Sequence, residues 1–468
     1  MSTFSGLQTA ASGLAAARAG MTVVGQNIAN ETTPGYTRQR VEQSSVPSAG
    51  SAGLWPAAIA PGDGVAVDQI ARLGDEVLDA RVRDALSASG FWTARATASA
   101  QVEAAMAEPT ENGLAATMDG FWASWSDLAN SPDGSAAAVV LSGADVLVSQ
   151  IAAGYEQVSA SWTDLRGAVD RQVAGINATA SQVAELNEQI RQATQSGRGA
   201  NELIDQRNLL AQNLSTAAGV TGSLESDGTM TLRLEGNALV SGGTSREIVA
   251  SGPVDIDAAG HVAVAWADRP DVAITSLGGE LGGMVSVLAP AASGGPLAVA
   301  AQGYNDVATS LAEHVNDLHR QGQTRTGAAG GDFFSLSGTG PAAVGLSVAV
   351  GGLDELALAR PGSGSLDTSI ADEIGTLGDA DGGPSKGWAA FVTQFGVSTS
   401  GDLQRANIAD TGAIAAVSAQ QSNASVDVDE ETVNLLTYQT AYQASARVLT
   451  AVDEALDTLI NRTGLVGR

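Results

Sequence analysis

The sequence predicts a mainly α protein with a β insertion. Three observations carry this: apolar stripes at heptad spacing near both ends, a very long run of helical periodicity between them, and a switch to alternating patterning after Gly219. The expected parts are terminal coiled-coil helices, a long helical-bundle rod domain and one or two smaller β-rich domains. Residues 1–60 with 425–468 are expected to form a terminal helical assembly core, partly disordered as a monomer. Residues 61–219 with 281–325 and 388–424 form the helical rod, 220–280 the β-rich insertion, and 326–387 a Gly-rich flexible segment or small β subdomain.

The first stripe is Phe4, Leu7, Ala10, Leu14, Ala17, Met21, Val24 and Ile28, spaced alternately by three and four. Gly6, Gly13 and Gly20 recur at heptad spacing beside it, which permits close approach of a neighbouring backbone. Each glycine costs roughly 1 kcal/mol of helix stability relative to alanine, so this helix needs partners. Val65 and Val67 read as a short strand, followed by a helix from about Leu73 to Met106. Leu114, Met118, Phe121, Trp125 and Leu128 form the next helical face, stopped by Asn130-Ser131-Pro132-Asp133.

A far longer stripe runs from Leu141 through Ile151, Trp162, Val173 and Val183 to Ile190, a span of about 75 Å at 1.5 Å per residue. Ser196-Gly197-Arg198-Gly199 turns the chain, and Leu203, Leu209, Leu210 and Leu214 begin a returning helix. Leu224, Asp227-Gly228, Met230, Leu232, Leu234, Val262 and Val264 then show strand alternation and turn chemistry. Helical spacing resumes at Tyr304, Val307, Leu311, Val315 and Leu318. A strand is expected at Leu346 to Val350, and further helices at Trp388 to Phe395 and at Leu403 to Gln421.

The last stripe is Leu435, Tyr438, Tyr442, Ser445, Leu449, Val452, Leu456 and Leu459. Asp427, Asp429, Glu430 and Glu431 precede it, where carboxylates cap a helix and favour its positive end, and Gly464 marks the expected stop. Two amphipathic terminal helices can pair within one molecule, or pair and then pack on neighbouring copies; periodicity alone leaves both open.

Composition narrows the function. The chain has 468 residues, 23 basic against 51 acidic, and a net charge of −28, which disfavours nucleic acid as a partner. It has no cysteine, which removes disulfides, thiolate metal sites and cysteine nucleophiles and suits a chain that travels unfolded. No membrane is expected: the longest uncharged stretch, Leu281 to Asn305, is broken by Gly282, Gly283, Pro290, Gly294, Gly295, Pro296 and Gly303, and the terminal helices lack a lysine- and arginine-rich face.

Catalytic and cofactor patterns fail. His314 and His319 are five apart rather than the four that suits a helical metal pair; Asp379, Asp381 and Gly383 resemble a calcium loop whose glycine is out of place and whose closing position is Ala390. Lys386 follows Ser385 instead of glycine, so no phosphate loop is present. No cofactor and no enzyme activity are expected.

The sequence resembles the flagellar hook-associated protein 1 family, the hook-filament junction proteins. Ser5-Gly6-Leu7, Asn27-Ile28-Ala29-Asn30 and Thr33-Pro34-Gly35-Tyr36-Thr37-Arg38 are similar to the motif shared by rod, hook and junction proteins, with Asn27, Asn30, Pro34, Gly35 and Tyr36 as its distinctive residues. Ser124-Trp125, Leu128-Ala129, Leu203-Ile204-Asp205-Gln206-Arg207, Gly279 to Gly283 and Gly330-Gly331-Asp332-Phe333-Phe334-Ser335 resemble segments particular to the junction protein. So do Asp429-Glu430-Glu431, Asn434-Leu435, Tyr438-Gln439, Ala441-Tyr442-Gln443 and Ala446-Arg447. The resemblance spans roughly 1–215, 279–335 and 388–468.

The resemblance implies an extracellular structural component of the bacterial flagellum, exported unfolded by the flagellar type III apparatus and joining hook to filament. It implies a ring-like or helical homo-oligomer whose neighbours are hook protein and hook-associated protein 3, with a flagellar export chaperone at the C-terminal region. Leu7, Leu14, Met21 and Ile28 with Leu435, Tyr438, Tyr442, Leu449 and Leu456 are the candidate assembly interface, and Asn27, Asn30, Pro34 and Tyr36 shape the exit from it. Residues 1–60 carry three basic and two acidic residues, so nearly all the acidity lies elsewhere, consistent with a near-neutral inner core and a charged exterior. The alternatives are another axial protein (hook or distal rod), which the 203–207 and 330–335 blocks oppose, and a secreted acidic adhesin or enzyme working through 220–400.

Overall fold

The computed structural model describes residues 3–47, 62–364 and 366–461; Gly464 and the side chains of Phe4 and Leu459 lie outside the described residues. Helix α1 (Thr3–Ala29) runs into an antiparallel pair of strands, β1 (Gln39–Ser45) and β2 (Val65–Arg72), whose register goes from Gln39 opposite Arg72 to Ser45 opposite Val65 with one irregularity between Glu42 and Gln43. α1 packs against the last helix, α11 (Val428–Asn461), and the strand pair packs on α1.

The rod is built from α2 (Glu76–Met106), α3 (Leu114–Asn130), α4 (Gly134–Gln195), α5 (Asn201–Ala218), α6 (Gly279–Val287), α7 (Pro296–His319) and α10 (Pro384–Ala424). Its spine is α4, 62 residues and so about 93 Å long, with α3, α5 and α7 lying against it. The helix starts follow capping chemistry. Asp75 accepts from the amides of Val77 and Leu78, and Asp133 Oδ1 accepts from Ser135 and Ala136 at 2.8 and 2.9 Å. At the end of α5, Gly219 has φ +70° and lies so close to Gly278 that a side chain would collide with backbone.

By length and composition α4 is apolar enough to cross a membrane, which a search for uncharged stretches overlooks because Asp145 interrupts the run. In the fold, Ala137, Val140, Ala144, Leu147 and Ile151 are buried in the rod core. The centre of that core is aromatic: Phe333 meets Phe334 edge-on at 4.7 Å and Trp125 at 5.2 Å, with Phe121 beside them.

The insertion after α5 holds two antiparallel sheets, one of β3 (Thr221–Leu224), β4 (Met230–Leu234), β5 (Asn237–Ser241) and β6 (Thr244–Ser245), the other of β7 (Ile248–Ser251), β8 (Ala263–Trp266) and β9 (Arg269–Ala273). Two asparagines of α4 bind them. Asn187 donates to the carbonyls of Met230 and Gly242 at 2.8 and 3.0 Å and accepts from the Met230 amide at 2.9 Å, while Asn177 donates to the Ile248 carbonyl and accepts from its amide.

Residues 326–387, for which a Gly-rich flexible segment or small β subdomain was expected, carry short paired strands whose apolar residues join the rod core. The strand pairs β11 (Phe334–Leu336) with β12 (Leu346–Val348), and β10 (Gln323–Thr324) with β13 (Ala357–Ala359), alternate with short helices α8 (Ala342–Gly345) and α9 (Ser369–Gly375). Phe333, Phe334, Leu346, Leu356, Leu358, Ile370 and Ile374 are buried there, enough apolar surface to outweigh the glycine content. Asn316 of α7 accepts from the amides of Phe333 and Phe334 and donates to the Phe334 carbonyl. The two helices expected at 388–395 and 403–421 form one continuous α10, since Gly396 and Gly401 lie within it without a break.

Candidate functional site

The terminal pair is antiparallel and in heptad register. Gly6 lies against Val452, Gly13 against Ser445 and Gly20 against Tyr438, and the next step along both helices brings Asn27 to Glu431, 3.1 Å from Nδ2 to Oε2. Ala10, Ala16, Ala17, Gly20, Val23, Val24 and Asn27 are buried on α1, so small residues make the close face. Of the candidate interface residues, Leu7, Leu14, Met21, Ile28, Leu435, Tyr438, Leu449 and Leu456 are half-buried, and Tyr442 is exposed. Val433, Leu436 and Val448 of α11 also face outward.

At its rod-proximal end the pair is closed by a polar cluster built from the 27–39 segment. Asn27 is 1 % exposed. Its Nδ2 donates to the Gln39 carbonyl at 2.9 Å, and its Oδ1 accepts from the Gln39 amide at 3.0 Å and from the Tyr36 hydroxyl at 2.8 Å. Burial, reinforced by Asp205, Glu202 and Glu431, pushes the Tyr36 hydroxyl up to about 12, so it remains a donor. Arg38 donates through Nε to Glu431 at 2.8 Å and grips Glu430 with both terminal nitrogens at 3.0 and 2.7 Å. The bond to Glu430 raises the Arg38 guanidinium above its ordinary value against the opposing effect of burial, and the same bond lowers Glu430.

Asn30 and its neighbours end α1. The Asn30 side chain donates to the Gln26 carbonyl, and Thr33 Oγ1 donates to Asn30 Oδ1 at 3.2 Å. Pro34 is exposed at the turn. Gly35, at φ +78°, rests beside Leu209 of α5 in a backbone conformation and a space that both favour glycine. The structure thus brings Asn27, Tyr36 and Glu431 into one network, with Asn30, Pro34 and Gly35 shaping the loop that delivers it.

A second layer ties this cluster to the rod. Asp205 of α5 accepts from the Thr37 amide at 3.1 Å and from Arg72 of β2, and Asn201 donates to Gln39 and to the Ile70 carbonyl. Behind it Asp79 accepts from Asn208 and Gln420. Arg207 donates to the Gly228 carbonyl at 2.7 Å, and burial depresses its guanidinium to about 10. Sequence reasoning did not single out Asp205, Asn201 or Arg72; the available signal was the Leu203 to Arg207 block, whose acidic member had no assigned role. Among the described residues no three metal-ligating side chains converge. Between the 31–37 loop, α5 and the end of α10 lies a cleft of about 390 Å³, lined among others by Thr33, Asp79, Gln420 and Ser425.

Residues 7–37 match a family described as flagella basal body rod protein, and residues 420–462 the C-terminal segment of flagellar basal body rod FlgEFG proteins. Flagellar hook-associated protein 1 of Bacillus subtilis is 28% identical over 505 aligned positions, covering 100% of both chains. The Salmonella typhimurium protein of the same name is 30% identical over 338 positions, covering 70% of this chain and 58% of its own length. The structure of the flagellar hook junction protein FlgK from Burkholderia pseudomallei superimposes with a TM-score of 0.62 at 16% identity, over 74% of this chain and 100% of that one, which shows a shared fold. Residues 99–334, about half the chain, match the helical domain of flagellar hook-associated protein FlgK, and the chain belongs to that family.

Proposed function

We propose that this chain is a structural component of the bacterial flagellum that joins hook to filament and assembles with copies of itself through α1 and α11. The observation that carries this reading is the half-finished burial of the terminal pair. Its close face is made of glycine, alanine and valine, while Leu7, Leu14, Met21 and Ile28 stay half-buried and Val433, Leu436, Tyr442 and Val448 stay exposed. Fully burying a leucine or isoleucine is worth about 1.5–3 kcal/mol, so a neighbouring copy that covers these residues supplies the stability the isolated pair lacks. In this reading the terminal helices become fully ordered on assembly, hook protein and hook-associated protein 3 are the axial neighbours, and an export chaperone covers the C-terminal helix before unfolded export. The role is structural, with no reaction assigned.

The test is a deletion strain complemented with the wild-type gene or with Leu14→Asp. Wild type restores filaments on hooks and motility. Leu14→Asp yields a folded, exported subunit whose hooks carry no filament. Normal motility of the deletion strain, or recovery of the protein only in culture fluid, would reject the reading in favour of a secreted adhesin or enzyme.

A further inference from the structure

We infer that the cluster of Asn27, Arg38 and Glu431 sets the axial register of the α1–α11 pair, because the rest of the seam repeats every seven residues and accepts α11 displaced by one heptad. On α1 the glycines recur at 6, 13 and 20 and the small residues Ala10, Ala17 and Val24 at the same interval. On α11, Tyr438, Ser445 and Val452 face the glycines, and Leu435, Tyr442, Leu449 and Leu456 repeat beside them. After a shift of seven residues toward the N-terminus of α1, Tyr438 meets Gly13 and Ser445 meets Gly6, each finding the same absence of a side chain. Only the fourth step is different. There Asn27 and Glu431, each 1 % exposed, are joined to one another, and Arg38 is joined to Glu431. A single buried polar contact in an otherwise periodic apolar seam is what fixes register in paired helices.

The opposite shift is blocked, since it drives the Tyr438 ring onto buried Asn27. The permitted shift carries α11 about 10.5 Å away from the end of α10. A residue gains about 1.8 Å on passing from helix to extended chain, so about six residues at the start of α11 must unwind. Those residues include Glu430 and Glu431. The latched register and the slipped register are therefore mutually exclusive, and opening the cluster is the step that exchanges them.

The chain contains no cysteine, so introduced pairs are its only thiols. A Cβ placed on Gly13 lies 3.7 Å from Cβ of Ser445, the spacing of a disulfide. The full chain carrying Gly13→Cys with Ser445→Cys reports the latched register on mild oxidation, and the chain carrying Gly6→Cys with Ser445→Cys reports the slipped one. With the cluster intact, only the first pair closes above background. Adding Arg38→Leu and Glu431→Leu raises closure of the second pair by about tenfold or more, and the milder Glu431→Gln gives an intermediate rise. Hydrogen exchange in α4 serves as the internal check that the rod is folded in every variant. Three results overturn the proposal: closure confined to the first pair after the cluster is removed, closure of the second pair while the cluster is intact, or loss of both crosslinks.

Discussion

The ring of Tyr438 occupies the space above Gly20 where any other residue would carry its Cβ, well inside van der Waals contact. Gly20→Ala is therefore expected to push the tyrosine out and weaken the α1–α11 pair by about 1–3 kcal/mol. Gly25, on the same helix with nothing within 4 Å of its would-be Cβ, is the control. Gly25→Ala should strengthen the helix by up to about 1 kcal/mol. Hydrogen exchange across α1 measures both, and equal effects of the two substitutions would show that helix propensity, not the close approach, governs the pair.

Arg38 joins one buried and one exposed carboxylate, which predicts unequal consequences. Its side chain is held by Glu431, whose side chain is 2 % exposed, and by Glu430 at the surface. Arg38→Ala strands the buried charge and is expected to cost about 2–4 kcal/mol in the stability of the terminal pair. Glu430→Gln should change little, because exposed ion pairs contribute little. Protease protection of α11 against denaturant separates them.

Asn187→Ala removes three hydrogen bonds that hold the first insertion sheet on α4 and leaves strand groups of Met230 unpaired in a buried setting. The expected loss is about 2–4 kcal/mol, read as a lower midpoint of denaturant unfolding. Asn187→Asp keeps the shape but sets a buried carboxylate oxygen against the Met230 and Gly242 carbonyls, and should cost at least as much as the alanine.

His319 supplies a pH dependence. Fully buried, it contacts the Gly331 carbonyl through Nδ1 and accepts from the Ala357 amide through Nε2 at 2.9 Å, a pattern that requires the neutral ring. Burial lowers its pKa, against the opposing effects of the Gly331 bond and nearby Asp332. The unfolded chain binds a proton near pH ~6.5 that the folded chain refuses, so this residue's contribution is complete above that value and is lost as pH falls toward the depressed folded value. Unfolding midpoints measured across that interval should fall with acid more steeply in the wild type than in His319→Gln.

Much of this was legible in the sequence because period survives folding. The heptad glycines announced a close helix contact, Asp427 announced a cap, and its Oδ1 does accept from the amides of Asp429 and Glu430. The Asn27 to Arg38 block, expected to shape the exit from the seam, holds Asn27, Tyr36 and Arg38 of the polar cluster. What stayed hidden was polar or short. Asn177, Asn187 and Asn316 look like solvated helix positions until strands arrive to bind them, and no local pattern says that they will. The 326–387 segment has strands of three residues, too brief for alternation to register, and its glycines suggested mobility where buried apolar residues such as Phe333, Leu356 and Ile370 anchor it.

The insertion sheets are moored to the spine in two ways: by Asn177 and Asn187, which bind strand backbone, and by side chains such as Met230, Leu232, Val240 and Ile248, which join the rod core. A sequence that keeps those strands paired and their inward side chains apolar keeps the mooring. Charge and loop length on the outward face of this region can therefore be altered without touching the contacts that hold it to α4.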